Sequence, residues 1–354
     1  MEVETVGAGA DVARARRRWV KTAAVVVAAA VSLWLLRSSL GAVYGDLADI
    51  VSVDPRWLIA ILACESIAFV ASWQLNRLAL RTDGWFDVAV AQLTGNAVSN
   101  VIPAGSAAGA AMQLRVLSQA GFEMTRAATS LGALTILGVA GLLAIPALAL
   151  PSAIALGSND PGVAGALWVG VALLVACVIG AAVLMTRDAP LARIAGAIQW
   201  IRNRFHRGQA RYDIPDRVLA ERDAIGAAIR QRPFVVVSAT IGRTVGDFLA
   251  LYLALFAAGA RPTPIVVLVA FAAANVAGMV PITPGGLGFV EAGMTGALAA
   301  VGVDPVQAAL AAALYRVVNT WLPSAVGFGA LGVFHVRRRL TPAPPAPVAE
   351  LVSS

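Results

Sequence analysis

The stretch Pro281-Ile282-Thr283-Pro284-Gly285-Gly286-Leu287-Gly288-Phe289-Val290-Glu291 decides the fold. It cuts short an apolar run, Ile265–Val280, that would otherwise continue as helix. Pro281 and Pro284 each remove a backbone donor and crowd the preceding turn, while Gly285, Gly286 and Gly288 loosen the chain. At membrane depth such a break is tolerated only where protein or a water-filled cavity covers the exposed backbone. A carboxylate, Glu291, follows just inside the next helical segment. Two readings fit the stretch alone: a surface loop between ordinary spans, or a re-entrant hairpin lining a polar site. The rest of the chain favours the hairpin.

Working outward, the 354 residues are 59% hydrophobic and 13% charged, with a mean hydropathy of +0.78. A soluble domain carries about 25% charged residues, so the composition is that of an integral membrane protein. Cys64 and Cys177 lie inside apolar runs, and His206 and His335 are isolated. This pattern supports neither a disulfide framework nor a metal site. No Walker loop, no G-x-S-x-G and no His/Cys cluster is present, so no cofactor, no ATP-driven step and no enzymatic activity are expected. The net charge of +7 is concentrated in a few segments, as membrane topology requires. Without a basic face carrying interleaved aromatics outside the membrane, nucleic acid is not an expected partner.

Arginine placement predicts the topology. Residues 1–19 form a polar segment with Arg14, Arg16, Arg17 and Arg18, followed by an apolar run, Val20–Leu36, read as an uncleaved signal anchor with the N-terminus in the cytoplasm. Trp57–Leu80 spans back to Arg77 and Arg81. Phe86–Ala120 is too long for one span and breaks at Pro103-Ala104-Gly105, so it reads as a re-entrant pair entered from the cytoplasm. Ala127–Leu150 and Ala164–Met185 then cross out and in. The segment 187–232, with ten arginines against five acids, is assigned to the cytoplasm, and its Ile214–Ile229 part reads as an amphipathic helix on the headgroup layer or a solvated basic loop. Phe234–Ala258, the broken Pro264–Val301 stretch and Val306–Phe334 complete the set, and a Pro-rich tail, 336–354, returns to the cytoplasm. The expected fold is therefore all-α: six full spans and two Pro/Gly-broken hairpins in the transmembrane domain 20–335, with both termini inside.

An inverted repeat follows from this order, with halves at 20–150 and 162–335. An offset of 181 residues lays Pro103-Ala104-Gly105 on Pro284-Gly285-Gly286, Gly121 on Gly302, Glu123 on Asp304 and Ala127-Ala128 on Ala308-Ala309. Inverted repeats whose broken helices meet at the midplane are an architecture of alternating-access transporters.

Ionisable groups at mid-span cost roughly 2.5–3.5 kcal/mol on insertion scales, so each needs a reason. Arg316, Asn319 and Pro323 share one helical face, and a Glu291–Arg316 pair across the cavity is the expected arrangement. Arg243 and Asp247 are spaced to pair within their own helix. Glu65, Ser72 and Asn76 make one polar stripe, and Asn96, Asn100 and Pro103 make another. Such stripes line cavities or bond neighbouring helices. Arg115, on the returning arm of the first hairpin, either meets a lipid phosphate or snorkels to the interface.

Two stretches carry a family resemblance. Asn100-Val-Ile-Pro103-Ala-Gly105 through Arg115 and Gly121, and Pro281 through Glu291 followed by Gly302, Ala308, Tyr315-Arg316 and Trp321-Leu322-Pro323, resemble the two signatures of the lysylphosphatidylglycerol synthase transmembrane (flippase-like) family, also called UPF0104. The likeness extends over about residues 20–335. It implies movement of lipid between leaflets of a bacterial inner membrane. The name-giving members also carry a cytosolic synthase domain; after the Pro-rich tail ending at Ser354 none is expected here, and aminoacyl transfer is not carried over. Ala110 stands where many members have a glutamate, leaving Arg115 without that carboxylate. The expected function is translocation of an anionic phospholipid or lipid-linked precursor. Its binding residues are expected to be Arg115, Glu291, Arg316, Asn319, Asn96 and Asn100, with hinges at Pro103, Gly105, Pro281, Pro284, Gly285, Gly286 and Gly288. Alternatives are a head-group transferase and a non-transporting scaffold that recruits a cytosolic lipid-modifying enzyme through 187–232.

Overall fold

The computed structural model describes residues 53–102, 105–155, 161–205, 214–278, 289–300 and 302–340. The expected first span Val20–Leu36, the hinge residues Pro103, Pro281, Pro284, Gly285, Gly286 and Gly288, and the segments 1–19 and 341–354 lie outside them. Among the described residues the chain is helical throughout, with no strand.

In order the helices are α1 (Pro55–Leu80), α2 (Trp85–Val101), α3 (Gly105–Gln119), α4 (Met124–Ala155), α5 (Pro161–Thr186), α6 (Asp188–Phe205), α7 (Ile214–Gln231), α8 (Pro233–Ala257), α9 (Pro264–Gly278), α10 (Phe289–Ala300), α11 (Pro305–Arg316) and α12 (Leu322–Leu340). A π-helical turn, Val317–Trp321, joins the last two. Four described segments are long and apolar enough to cross a membrane: Pro55–Leu80, Met124–Ile145, Pro233–Ala257 and Pro305–Arg338. The α5–α6 pair, bent by 86°, makes a fifth if counted as one broken span.

Local chemistry sets the boundaries. Asp54 caps α1 by accepting the Arg56 N–H at 2.9 Å, and Asp304 caps α11 by accepting from Val306 and Gln307 at 3.0 and 3.2 Å. Each cap precedes a proline at the first helical position, where the missing N–H costs nothing. The turn after α3 places Gly121 at φ 97°, with the Phe122 N–H donating to the Leu117 carbonyl; the turn after α10 places Gly302 at φ 93°, with the Val303 N–H donating to Leu298. These two turns are 181 residues apart. A second pair of like turns ends α1 and α8: Arg81 at φ 53° and Gly259 at φ 82°, with Thr82 donating to Arg77 and Ala260 to Leu255.

The packing repeats in the same way. α1 lies along α8, α2 packs on both α3 and α12, and α9 packs on both α10 and α4. At the α1–α8 crossing a Cβ on Gly246 would sit 2.8 Å from the Cys64 carbonyl oxygen, so only glycine permits that approach. Within the α2–α3 hairpin a Cβ on Gly109 would come within 2.5 Å of the Gly95 carbonyl, and Gly105 has no room beside the Ser99 backbone. One apolar core joins Ile61, Leu251, Leu255, Phe271, Leu298 and Leu314; a second joins Leu80, Val88, Val116, Leu117 and Phe334.

The segment left open as an amphipathic helix or a solvated basic loop is helical, and as α7 it ties several elements together. Glu221 pairs with Arg81 and with Arg126 (3.6 Å), Arg217 pairs with Glu123 (2.8 Å), and Arg222 reaches Asp188 at the start of α6 (2.7 Å). The two carboxylates Asp188 and Asp223 raise the Arg222 guanidinium above its ordinary value, so it stays charged.

Candidate functional site

A cavity of about 770 Å³ opens between α1, α2, α3, α4, α8 and α9. Its walls mix apolar side chains with amides and hydroxyls contributed by five helices. Asn76 on α1, Gln92 and Asn96 on α2, and Gln113 on α3 supply carboxamides; Thr135 on α4 and Thr240 and Thr244 on α8 supply hydroxyls. Arg243 is the one cation among the described lining residues, and Asp247 the one carboxylate. The Arg243 guanidinium reaches across to α4, where its Nη1 lies 3.0 Å from the position a Cβ on Gly138 would take.

Asp247 also belongs to a network buried behind the cavity. Its Oδ1 accepts the Tyr315 hydroxyl at 2.6 Å and the Asn319 amide at 3.0 Å. The same Asn319 amide donates to Glu65 Oε1 on α1. Two carboxyl groups from α1 and α8 therefore meet on one side-chain amide of the last span. The bonding continues through Thr320, which donates to Asn319 Oδ1 at 3.2 Å, and Ser324, which donates to the Thr320 carbonyl at 2.6 Å. It ends at Asn100 on α2, which donates to Ser324 Oγ at 2.9 Å.

The π turn sets this geometry. Pro323 has no N–H for the carbonyl four residues back, which is that of Asn319, and its ring crowds that carbonyl. Widening the turn over Val317–Trp321 relieves the clash and rotates Asn319 toward both carboxyls.

The expected Glu291–Arg316 pair is formed, with Arg316 Nε 2.8 Å from Glu291 Oε1 and both side chains less than a tenth exposed. It joins α10 to α11 and stands apart from the residues that line the described cavity. Asn96 lines the cavity; Asn100 and Asn319 belong to the buried network; Arg115 is exposed on α3 and does not line it. Arg243 and Asp247, spaced to pair along their helix, form no ion pair with each other among the described residues, because Asp247 is held from the facing helix instead. Gln92, Gln113 and Thr244 were not singled out from the sequence. Gln92 lies one turn before Asn96 and continues the polar stripe on α2, whereas no stripe in the sequence leads to Gln113 or Thr244.

Apolar helices of spanning length that also bury charged side chains are those of a multi-pass α-helical membrane protein. The family model of the lysylphosphatidylglycerol synthase TM region matches residues 21–327, and the chain belongs to that family. It is similar to a UPF0104 membrane protein of Methanothermobacter thermautotrophicus, 24% identical over 307 residues that cover 82% of this chain and 89% of the relative.

Proposed function

We propose that this protein moves an anionic phospholipid or lipid-linked precursor between the leaflets of a bacterial plasma membrane, with both chain termini in the cytoplasm. The observation that carries the reading is the cavity: about 770 Å³ between helices of spanning length, whose partly apolar walls carry carboxamides, hydroxyls and, among the described residues, one guanidinium. A head group crossing the hydrocarbon layer needs such a polar passage, and its acyl chains can remain in the bilayer. Arg243 takes the phosphate, for which a planar guanidinium fork is suited. The two hairpins, α2–α3 and α9–α10, enter from opposite faces as inverted repeats, and the like turns at Gly121 and Gly302 support that symmetry. The Glu291–Arg316 pair then braces the second hairpin as the counterpart of the carboxyl–amide network beside the first.

In this reading the chain does no covalent chemistry, and any head-group modification belongs to a separate cytosolic enzyme. The Arg-rich segment 187–232, which contains α6 and α7, is the surface for such a partner. Proteoliposomes reporting leaflet exchange of labelled anionic lipid test the function. Arg243→Gln is expected to slow exchange at least tenfold, the effect of losing one charge-assisted contact. A folded Arg243→Gln protein exchanging lipid at the wild-type rate would refute the assignment.

A further inference from the structure

Helix α6 differs from the spans in direction and in what it leaves uncovered. It follows α5 after a bend of 86°. With 26 residues rising about 1.5 Å each, α5 is roughly 39 Å long, enough by itself to cross the ~30 Å of hydrocarbon. A helix turned nearly at right angles to a span runs along the membrane surface, not through it. Its depth is set by what it is tied to. Asp188, in the first turn of α6, pairs with Arg222 of α7 at 2.7 Å. Through Glu221, α7 in turn pairs with Arg81, just past the end of α1, and with Arg126, in the first turn of α4. The ends of two spans and the start of α6 therefore lie at one level, that of the head groups.

Of the two helices in this polar segment, α7 has its apolar side in use: it packs on α1, α4 and α6, with Ile225 and the Arg222 side chain buried. On α6 only one side is covered. That side carries Ala195, 2% exposed, and Gln199, whose side-chain carbonyl accepts the Ile214 N–H at 3.3 Å. Ile194 and Ile198, one turn apart on a different side, are 51% and 54% exposed, and the sequence continues their spacing with Ile201 and Phe205. At head-group level the acyl boundary is the apolar phase within reach of such a row. The free charge of α6 has one sign. Its single acid, Asp188, is engaged by Arg222, whereas Arg187 in the bend and Arg193 beside Ile194 are exposed. Basic side chains flanking an apolar stripe suit anionic head groups. Trp200, on the far side of the helix and 67% exposed, is not part of the stripe. We propose that α6 is an interfacial helix that seats its Ile194–Ile198 face in the head-group layer of an anionic membrane, the position the sequence suggested for Ile214–Ile229. This docking is independent of what the cavity carries.

The test is site-directed spin labelling of the full chain, on a Cys64→Ala/Cys177→Ala background, in phosphatidylcholine vesicles containing phosphatidylglycerol. Nitroxides at Ile198→Cys and, as an independent second position, Ile194→Cys should collide with oxygen, be shielded from an aqueous nickel chelate, and report a depth of about 5–10 Å into the interface. A nitroxide at Trp200→Cys should stay accessible to the nickel chelate. In vesicles of phosphatidylcholine alone, or with Arg187→Gln/Arg193→Gln in the anionic vesicles, the labels at 194 and 198 should move toward the water. Labels at 194 and 198 that are open to nickel would overturn the proposal, because the face is then in water. Labels shielded from both oxygen and nickel would overturn it as well, since protein, this chain or a second copy, then covers the face. A depth that is the same in phosphatidylcholine alone and in the arginine variant would also overturn it, because the arginines then select no anionic surface.

Discussion

The Glu291–Arg316 pair offers the sharpest test of the architecture. Both side chains are buried, 7% and 8% exposed, and bonded at 2.8 Å. Replacing Glu291 with leucine leaves the Arg316 guanidinium buried without its carboxylate. Removing one partner of a buried pair typically costs about 3–5 kcal/mol, because the remaining charge is uncompensated. In lipid the unfolded helices also find polar partners, which trims the figure to about 2–3 kcal/mol. That corresponds to roughly a 30–150-fold fall in the folded-to-unfolded ratio. The assay is reversible unfolding in mixed micelles by titration with SDS, followed by circular dichroism. Glu291→Leu/Arg316→Met should recover to within about 1 kcal/mol of wild type, since apolar replacements of both partners are tolerated. The reasoning fails if Glu291→Leu alone lies within about 0.5 kcal/mol of wild type, or if the double variant loses the sum of the singles.

Two further perturbations read the packing and the network. Gly246→Ala puts a methyl 2.8 Å from the Cys64 carbonyl and 3.1 Å from the Ala68 Cβ, so it should destabilise by about 1–3 kcal/mol in the same titration. Gly242→Ala, one turn away, meets only the Ala71 Cβ at 3.6 Å and should be neutral. Asn319→Leu withdraws the donor shared by Glu65 and Asp247 and should cost about 1–3 kcal/mol. Asn319→Asp, nearly the same shape, adds a third carboxyl and should be worse than leucine; wild-type stability in Asn319→Asp would show that the amide does not bridge the pair.

The legible parts of this molecule are those whose chemistry is local. Asp54-Pro55 and Asp304-Pro305 announce helix starts within three residues, and Gly121 and Gly302 announce the turns between spans. The Glu291–Arg316 pair was also accessible, because each buried charge demands a partner and few candidates exist. The cavity was only half visible. Asn96 stood out on a polar stripe, but Arg243 and Asp247 sit one turn apart and invite the nearer explanation of a pair within their helix. What overrides it is an amide on another span, brought into reach by a widened turn that a proline four residues later provokes. Side chains that meet across 72 residues of sequence leave no periodic trace in either segment.

The Asn319–Glu65 bond spans 254 residues, and its length matters during synthesis. At about 5–20 residues per second, roughly 13–50 s separate the emergence of Glu65 from that of the amide that will hold it. For that interval α1 must reside in the membrane carrying a polar group whose final partner does not yet exist. Ser72, Asn76 and Gln92, on its own and the next helix, bond to one another and need nothing from the C-terminal span. The span that carries Asn319 thus closes this network, and a chain interrupted before Asn319 would leave the membrane with an unfinished, polar-faced intermediate for quality control to find.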